Sequence, residues 1–194
     1  MASPTERSNS LQPQLQLWKT LGSIELFSSR WMRLRQDTCE LPTKRVVDDY
    51  FVMEIPDGAA IAAVTEQDEL VLVRQYKHGV DQVVLELPAG IVEPGEEGPA
   101  AIARELEEET GYRASSVEYV TTLASKPARL SARTQIYFAD KVSQQGTQQE
   151  NDSEVIQIVL VPLAELPALI QRGEIIVETS LAALLMVWPR LVRS

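Results

Sequence analysis

Glu105, Glu108 and Glu109 stand close together in the segment Glu105-Leu106-Glu107-Glu108-Glu109. In a helix, Glu105 and Glu108 are i,i+3 and Glu105 and Glu109 are i,i+4, so the three carboxylates project from adjacent parts of one side. Like charges at that spacing destabilise a bare helix and raise one another's pKa. A divalent cation relieves both penalties. Carboxylate oxygens, with water and phosphate oxygens in the remaining positions, suit Mg2+, with Mn2+ as a substitute. Acidic helix faces are also common as plain solvated surface, so the surrounding residues decide between the two readings.

Those residues favour the chemistry. Pro99 is placed to open a helix, because proline in the first turn loses no hydrogen bond and presets φ. Ala100, Ala101, Ala103, Arg104 and Leu106 are good helix formers, and Gly111 supplies a stop. The pattern predicts one helix over ~99–110, with Ala103, Leu106, Thr110 and Ile102 on a side that can pack against a sheet. Gly90 and Gly95 flank the preceding loop, where glycine allows close approach to a ligand. The stretch Gly90–Tyr112 fits G-x5-E-x7-R-E-U-x-E-E-x-G-U, where U is bulky and apolar or aromatic. Gly90, Glu96, Arg104, Glu105, Glu108, Glu109 and Gly111 fill the fixed positions, and Leu106 and Tyr112 the U positions. At roughly 5–7% usage per residue type, chance meets such a pattern about once in 10⁹ starting points. The stretch resembles the signature box of the Nudix hydrolases, which cleave nucleoside diphosphates linked to another group.

The resemblance implies metal ligation by Glu105, Glu108 and Glu109 with the Ala89 carbonyl, and a supporting role for Glu96. Arg104 is expected to pair with a carboxylate and hold the loop against the helix, as a catalytic or a purely structural ion pair. Arg74-Gln75-Tyr76-Lys77, followed by Glu86-Leu87-Pro88-Ala89-Gly90, resembles the motifs of the ADP-ribose pyrophosphatase and nucleoside-diphosphate-sugar hydrolase subfamily. Pro127 falls 15 residues past Tyr112, where that subfamily carries a proline. Two departures leave the sugar preference open: Lys77 ends the arginine motif, and Ser125-Lys126-Pro127-Ala128 replaces an SPG-like turn. By the same resemblance Arg74 and Glu86 belong to the substrate site, and Trp31, Phe27 and Tyr50 are candidates for base recognition. Arg129, with Lys126 and Arg133, is a candidate for phosphate. The general base is expected on a loop far past the box: Glu154 first, with Glu150 in reserve, while Glu108 and Arg104 complete the catalytic set.

Composition bounds the rest. The chain has 194 residues, 44% hydrophobic content and a formal charge of −10. No basic stripe is present, so nucleic acid is not an expected partner. No apolar run is long enough for a membrane span. The segment Met1–Gln16 is polar and lacks the apolar stretch of a secretory signal. Cys39 is the sole cysteine, which excludes an intrachain disulfide and fits a cytoplasmic setting. His78 is the sole histidine and reads as a loop residue.

Strands are expected at ~20–28, ~31–37 and ~46–54, forming a small antiparallel sheet. Further strands are expected at 59–64, 70–76, 85–90, 117–123, 135–138 and 155–161. A polar loop is expected at ~143–154, and helices at 163–172 and 179–192, with Pro189 kinking or ending the second. This order implies a mixed α/β fold, and the resemblance implies an α/β/α sandwich. The organisation expected is a tail (1–16), an N-terminal β-sheet subdomain for dimerisation and base binding (17–55), and a hydrolase domain (56–194). A three-stranded sheet cannot bury both faces alone, which favours a homodimer through the N-terminal strands. The expected activity is hydrolysis of ADP-ribose or a related nucleoside diphosphate sugar. The alternatives are a GDP-mannose or ADP-glucose hydrolase, and a non-catalytic ligand sensor.

Overall fold

In the computed structural model, residues 15–149 and 155–192 are described. The N-terminal strands β1 (Lys19–Ser28), β2 (Arg33–Glu40) and β3 (Val46–Glu54) form an antiparallel sheet in the order β1-β2-β3. β2 begins two residues later than the pattern suggested. Ser29 Oγ accepts the N–H groups of Trp31 at 3.2 Å and Met32 at 3.3 Å, so this stretch is a serine-centred turn with Trp31 exposed on it. Ile24, Gln36 and Phe51 stand in register on one face, and both apolar members are exposed. The other face carries Arg35, the buried Asp37 and Cys39, and Tyr50.

The larger sheet is eight-stranded and mixed, with the order β11-β5-β4-β10-β8. Its strands are β4 (Gly58–Thr65), β5 (Glu69–Lys77), β6 (Gln82–Glu86), β7 (Ala89–Ile91), β8 (Tyr112–Arg113), β9 (Glu118–Leu123), β10 (Thr134–Gln144) and β11 (Ile156–Pro162). β4 and β10 run parallel, and the other pairings are antiparallel. Alternation along β4 feeds two cores. Ala59, Ile61 and Ala63 face α1 (Gly98–Thr110), meeting Ile102 and Leu106. Ala60, Ala62 and Val64 face α2 (Leu166–Gln171) and α3 (Glu178–Leu191), meeting Leu166, Ala183, Leu184 and Val187. A sheet buried on both faces needs a helix layer on each side, and the result is the expected α/β/α sandwich.

The differences from the expected elements have local causes. The apolar run 85–90 is two strands, because Pro88 has no N–H to continue a ladder. β6 pairs with β5 before it and β7 pairs with β4 after it, while Ile61 N donates to Pro88 O at 3.0 Å. β10 runs on to Gln144, into the expected polar loop, because Val142 is buried and Lys141 takes φ 54° to re-aim the strand there. Residues 150–154 of that loop lie outside the described residues. α2 is shorter than expected, because residues 163–165 form a turn in which Glu165 N donates to Pro162 O at 2.8 Å. Pro189 sits inside α3 and neither ends nor replaces its last turn.

The two sheets are tied by the segment between β9 and β10. Met53 N donates to Arg129 O at 2.8 Å and Ser131 N donates to Met53 O at 3.1 Å, and Gly58 N donates to Arg133 O at 2.9 Å.

Candidate active site

The box helix α1 is held from both ends. Pro99 lies in its first turn, and Gly111 closes it at φ 70° with its N–H on Glu107 O. Facing Gly111, Gly146 completes a tight backbone contact: a Cβ on Gly111 would stand 2.6 Å from Gly146 O. At the other end of the box, Gly90 of β7 lies against the Glu105 carboxyl group. A Cβ there would fall 2.0 Å from the Glu105 carboxyl carbon, so any other residue would push the Glu105 side chain out of this position.

Arg104 organises the acidic face. Its Nε donates to Glu96 Oε1 at 3.0 Å and one terminal nitrogen donates to Glu96 Oε2 at 3.0 Å, a bidentate pair. The same nitrogen reaches Ile91 O at 3.3 Å. The other terminal nitrogen donates to Glu105 at 2.9 Å and Glu108 at 3.1 Å. Glu96 lies on the loop and the two other glutamates on the helix, so one guanidinium clamps the loop to α1. The Arg104 bond holds Glu96 below the usual carboxylate range, helped by the Glu93 N–H. Glu96 in turn keeps Arg104 firmly protonated.

Glu109 points the other way, toward β5, β6 and β7. It is buried, and its Oε2 accepts the Ala89 N–H at 3.1 Å. Burial pushes its carboxyl up to about 8; the Ala89 bond opposes this, the nearby Glu105 charge adds to it, and Lys77 and Glu86 pull in opposite directions. Glu86 is buried beside it. Lys77 Nζ stands 3.3 Å from Glu86 Oε1 but off hydrogen-bond geometry, so this buried oxygen has an ion partner and no hydrogen bond.

These features fit a divalent cation. The donor set is hard carboxylate oxygen, one member is buried deeply enough to keep a proton in the cation's absence, and Gly90 admits Glu105 to the backbone. Among the described residues, no three ligating side chains converge on one point, because Arg104 holds Glu96, Glu105 and Glu108 apart from Glu109. Gathering them requires side-chain rotation, which long glutamates allow.

The structure brings Glu96, Arg104, Glu105, Glu108, Glu109, Glu86 and the Ala89 peptide into one region. It does not bring Arg74 there. Arg74 pairs in register with Leu85, whereas Glu86 pairs with Val73, so the two side chains leave opposite faces of the sheet. Arg74 instead reaches Gln157 at 3.4 Å on β11. Lys77, the last residue of the arginine motif, shares the Glu86 face instead. Arg129 and Tyr50 are engaged with each other: the guanidinium lies 4.9 Å from the Tyr50 ring centroid, and Tyr50 Oη donates to Ala128 O at 2.7 Å. Trp31 lines an open cavity of about 560 Å³ with Arg30, Asp57, Val92, Pro94 and Gln135, between the small sheet and the box loop. Phe27 is exposed on β1. Glu150 and Glu154 lie outside the described residues; the chain leading to them is fastened to the box helix by Gln149 N on Glu108 O at 2.9 Å.

Comparison with known proteins points the same way. Residues 55–180 match the NUDIX domain, and residues 18–53 match the nucleoside diphosphate sugar hydrolase N-terminal domain. The methanol dehydrogenase activator of Bacillus methanolicus is 30% identical over 146 residues, 73% of this chain and 78% of that protein. The ADP-ribose pyrophosphatase of Bacillus subtilis (strain 168) is 28% identical over 158 residues, 81% of this chain and 85% of that one. The solved structure of an ADP compounds hydrolase superposes with a TM-score of 0.80 at 23% identity, covering 93% of this chain and 97% of that chain, which establishes likeness of fold.

Proposed function

The chain belongs to the Nudix family, and on that premise we propose that it hydrolyses the pyrophosphate bond of ADP-ribose or a related nucleoside diphosphate sugar. The products are a nucleoside monophosphate and a sugar phosphate. The observation that carries this reading is the clamp of Arg104 across Glu96, Glu105 and Glu108, set beside the buried Glu109 and Glu86 and the partly exposed Lys77. That arrangement concentrates acceptor oxygens around one cation-hungry region and leaves a single ammonium facing it. Phosphoryl transfer asks chiefly for positioning and neutralisation of charge.

Glu105, Glu108, Glu109 and the Ala89 carbonyl would hold the divalent metal, Mg2+ in the first instance and Mn2+ as a substitute, with Glu96 in support. When bound, the metal neutralises diphosphate charge and acidifies a water. Arg104 keeps the loop on the helix and orients the carboxylates beside it. Lys77 offers a point charge to a diphosphate oxygen, and Glu86 fixes that ammonium. Glu154 is assigned the removal of the water proton on its sequence position, with Glu150 in reserve.

The small sheet supplies the rest of the proposal. Its exposed Ile24, Phe27 and Phe51 form an apolar face suited to a second copy of this chain. Trp31, Phe27 and Tyr50 are its candidates for contact with a base. We assign the protein to the cytoplasm on its single cysteine. Among the described residues no helix is long and apolar enough to cross a membrane.

The test is incubation of the purified protein with ADP-ribose, ADP-glucose and GDP-mannose plus Mg2+, with chromatography of the nucleotides. Release of AMP and ribose 5-phosphate from ADP-ribose supports the proposal. Preference for either hexose substrate moves it to the neighbouring specificity, and absence of any nucleoside monophosphate overturns it.

A further inference from the structure

The break between β6 and β7 leaves one N–H without a place in the sheet. Leu87 is fully buried, and its N–H cannot join the β5 ladder, which ends at Glu86, or the β4 ladder, which begins at Ala89. A buried, unpaired N–H is rare in native proteins. Here the acceptor is Ser180 Oγ at 3.0 Å, a buried hydroxyl 93 residues away in the first turn of α3. The Pro88–Ala89 peptide beyond it is held by two different elements: Ile61 N of β4 donates to Pro88 O, and the Ala89 N–H donates to Glu109 of α1. Three consecutive residues are thus pinned from the α3 side, from within the sheet, and from the α1 side.

Only one of these ties comes from the helix layer opposite the box. Pro88 has a fixed φ, which removes one of the torsions that could absorb a shift, so displacement of the Leu87 peptide is passed toward Ala89. The Ala89 N–H is the hydrogen-bond donor that orients Glu109. We infer that Ser180 is a positioning residue: through the Leu87–Pro88–Ala89 segment it sets the Ala89 peptide and, by way of it, the Glu109 carboxylate. Its consequence for metal binding rests on the function proposed above; its consequence for the backbone does not.

The experiment compares Ser180→Ala with Val187→Ala, which opens a cavity at a fully buried position in the same helix and the same core but removes no hydrogen bond to the segment. In the metal-free proteins, amide hydrogen exchange is followed at Leu87 and Ala89. Ser180→Ala is expected to speed exchange at both amides about tenfold or more, whereas Val187→Ala alters them no more than it alters the rest of β4 and β5. Calorimetric titration with Mn2+ alone then reads the site. Ser180→Ala is expected to weaken Mn2+ binding roughly tenfold, and Val187→Ala to leave it unchanged even when its Tm falls further. Wild-type exchange at Ala89 in Ser180→Ala overturns the inference. Accelerated exchange in a protein that binds no Mn2+ leaves the positioning role standing and overturns the metal assignment instead.

Discussion

Raising the pH of the metal-free protein should cost it stability in a window where most proteins are indifferent, and Glu109 is the cause. Its carboxyl moves from an ordinary 4.5 to about 8 on folding, chiefly through burial. Between those values the unfolded chain releases this proton and the folded chain retains it. The folded state therefore binds more protons, and stability falls as pH rises. The contribution is fully present below 4.5 and is gone above about 8. At roughly 1.4 kcal/mol per decade of pH, the loss is capped at about 5 kcal/mol. Rotation of the side chain toward water reduces this, and about 2 kcal/mol is the expected loss, large against a total of roughly 5–15 kcal/mol for a typical domain. Glu96 does not confuse the measurement, because its carboxyl is depressed and its window lies below that of Glu109. The assay is urea unfolding in chelator at about pH 5.5 and about pH 8.5, wild type against Glu109→Gln, whose amide stands for the protonated acid. The two proteins should be close in stability at the lower pH, with the variant ahead by about 2 kcal/mol at the higher. Added Mg2+ should remove most of the wild-type pH dependence and none of the variant's. A difference between the proteins that does not change with pH would refute the burial argument. A pH dependence that Mg2+ leaves untouched would refute ligation by Glu109.

Two further outcomes follow from the geometry. Lys77→Ala should raise KM for the nucleotide sugar about tenfold, because it removes the ammonium beside Glu86, and Lys77→Arg should recover most of the loss; steady-state kinetics on the three proteins decides it. Ile24→Asp places a charge in the exposed apolar face of the small sheet and should convert a dimer to a monomer by light scattering, whereas Leu185→Asp, exposed on α3, should not.

The box helix was legible because a helix carries its own evidence. Carboxylates at i, i+3 and i+4, a proline in the first turn and a glycine at the stop are local facts, and α1 begins within one residue of the expected start. The sandwich was legible for a related reason: β4 and β5 read as continuous apolar runs, which fits strands covered on both faces. That same continuity hid which cation lies beside Glu86. With no alternation between Leu70 and Val73, nothing local tells which of Arg74 and Lys77 shares a face with Glu86; the register to β6 decides it, and it selects Lys77. The turn between β1 and β2 was expected but read two residues too short, because Trp31 and Met32 have strand propensity and a single hydroxyl overrode it. Ser180 lay furthest from view. A serine near the start of a helix is ordinary as a sequence feature, and its meaning arises only where Pro88 interrupts a strand elsewhere in the chain and a buried N–H needs an acceptor. Side chains that ligate announce themselves by type and spacing. Those that position the ligands answer backbone needs created by the fold, and such needs become visible only when every buried donor is followed to its acceptor.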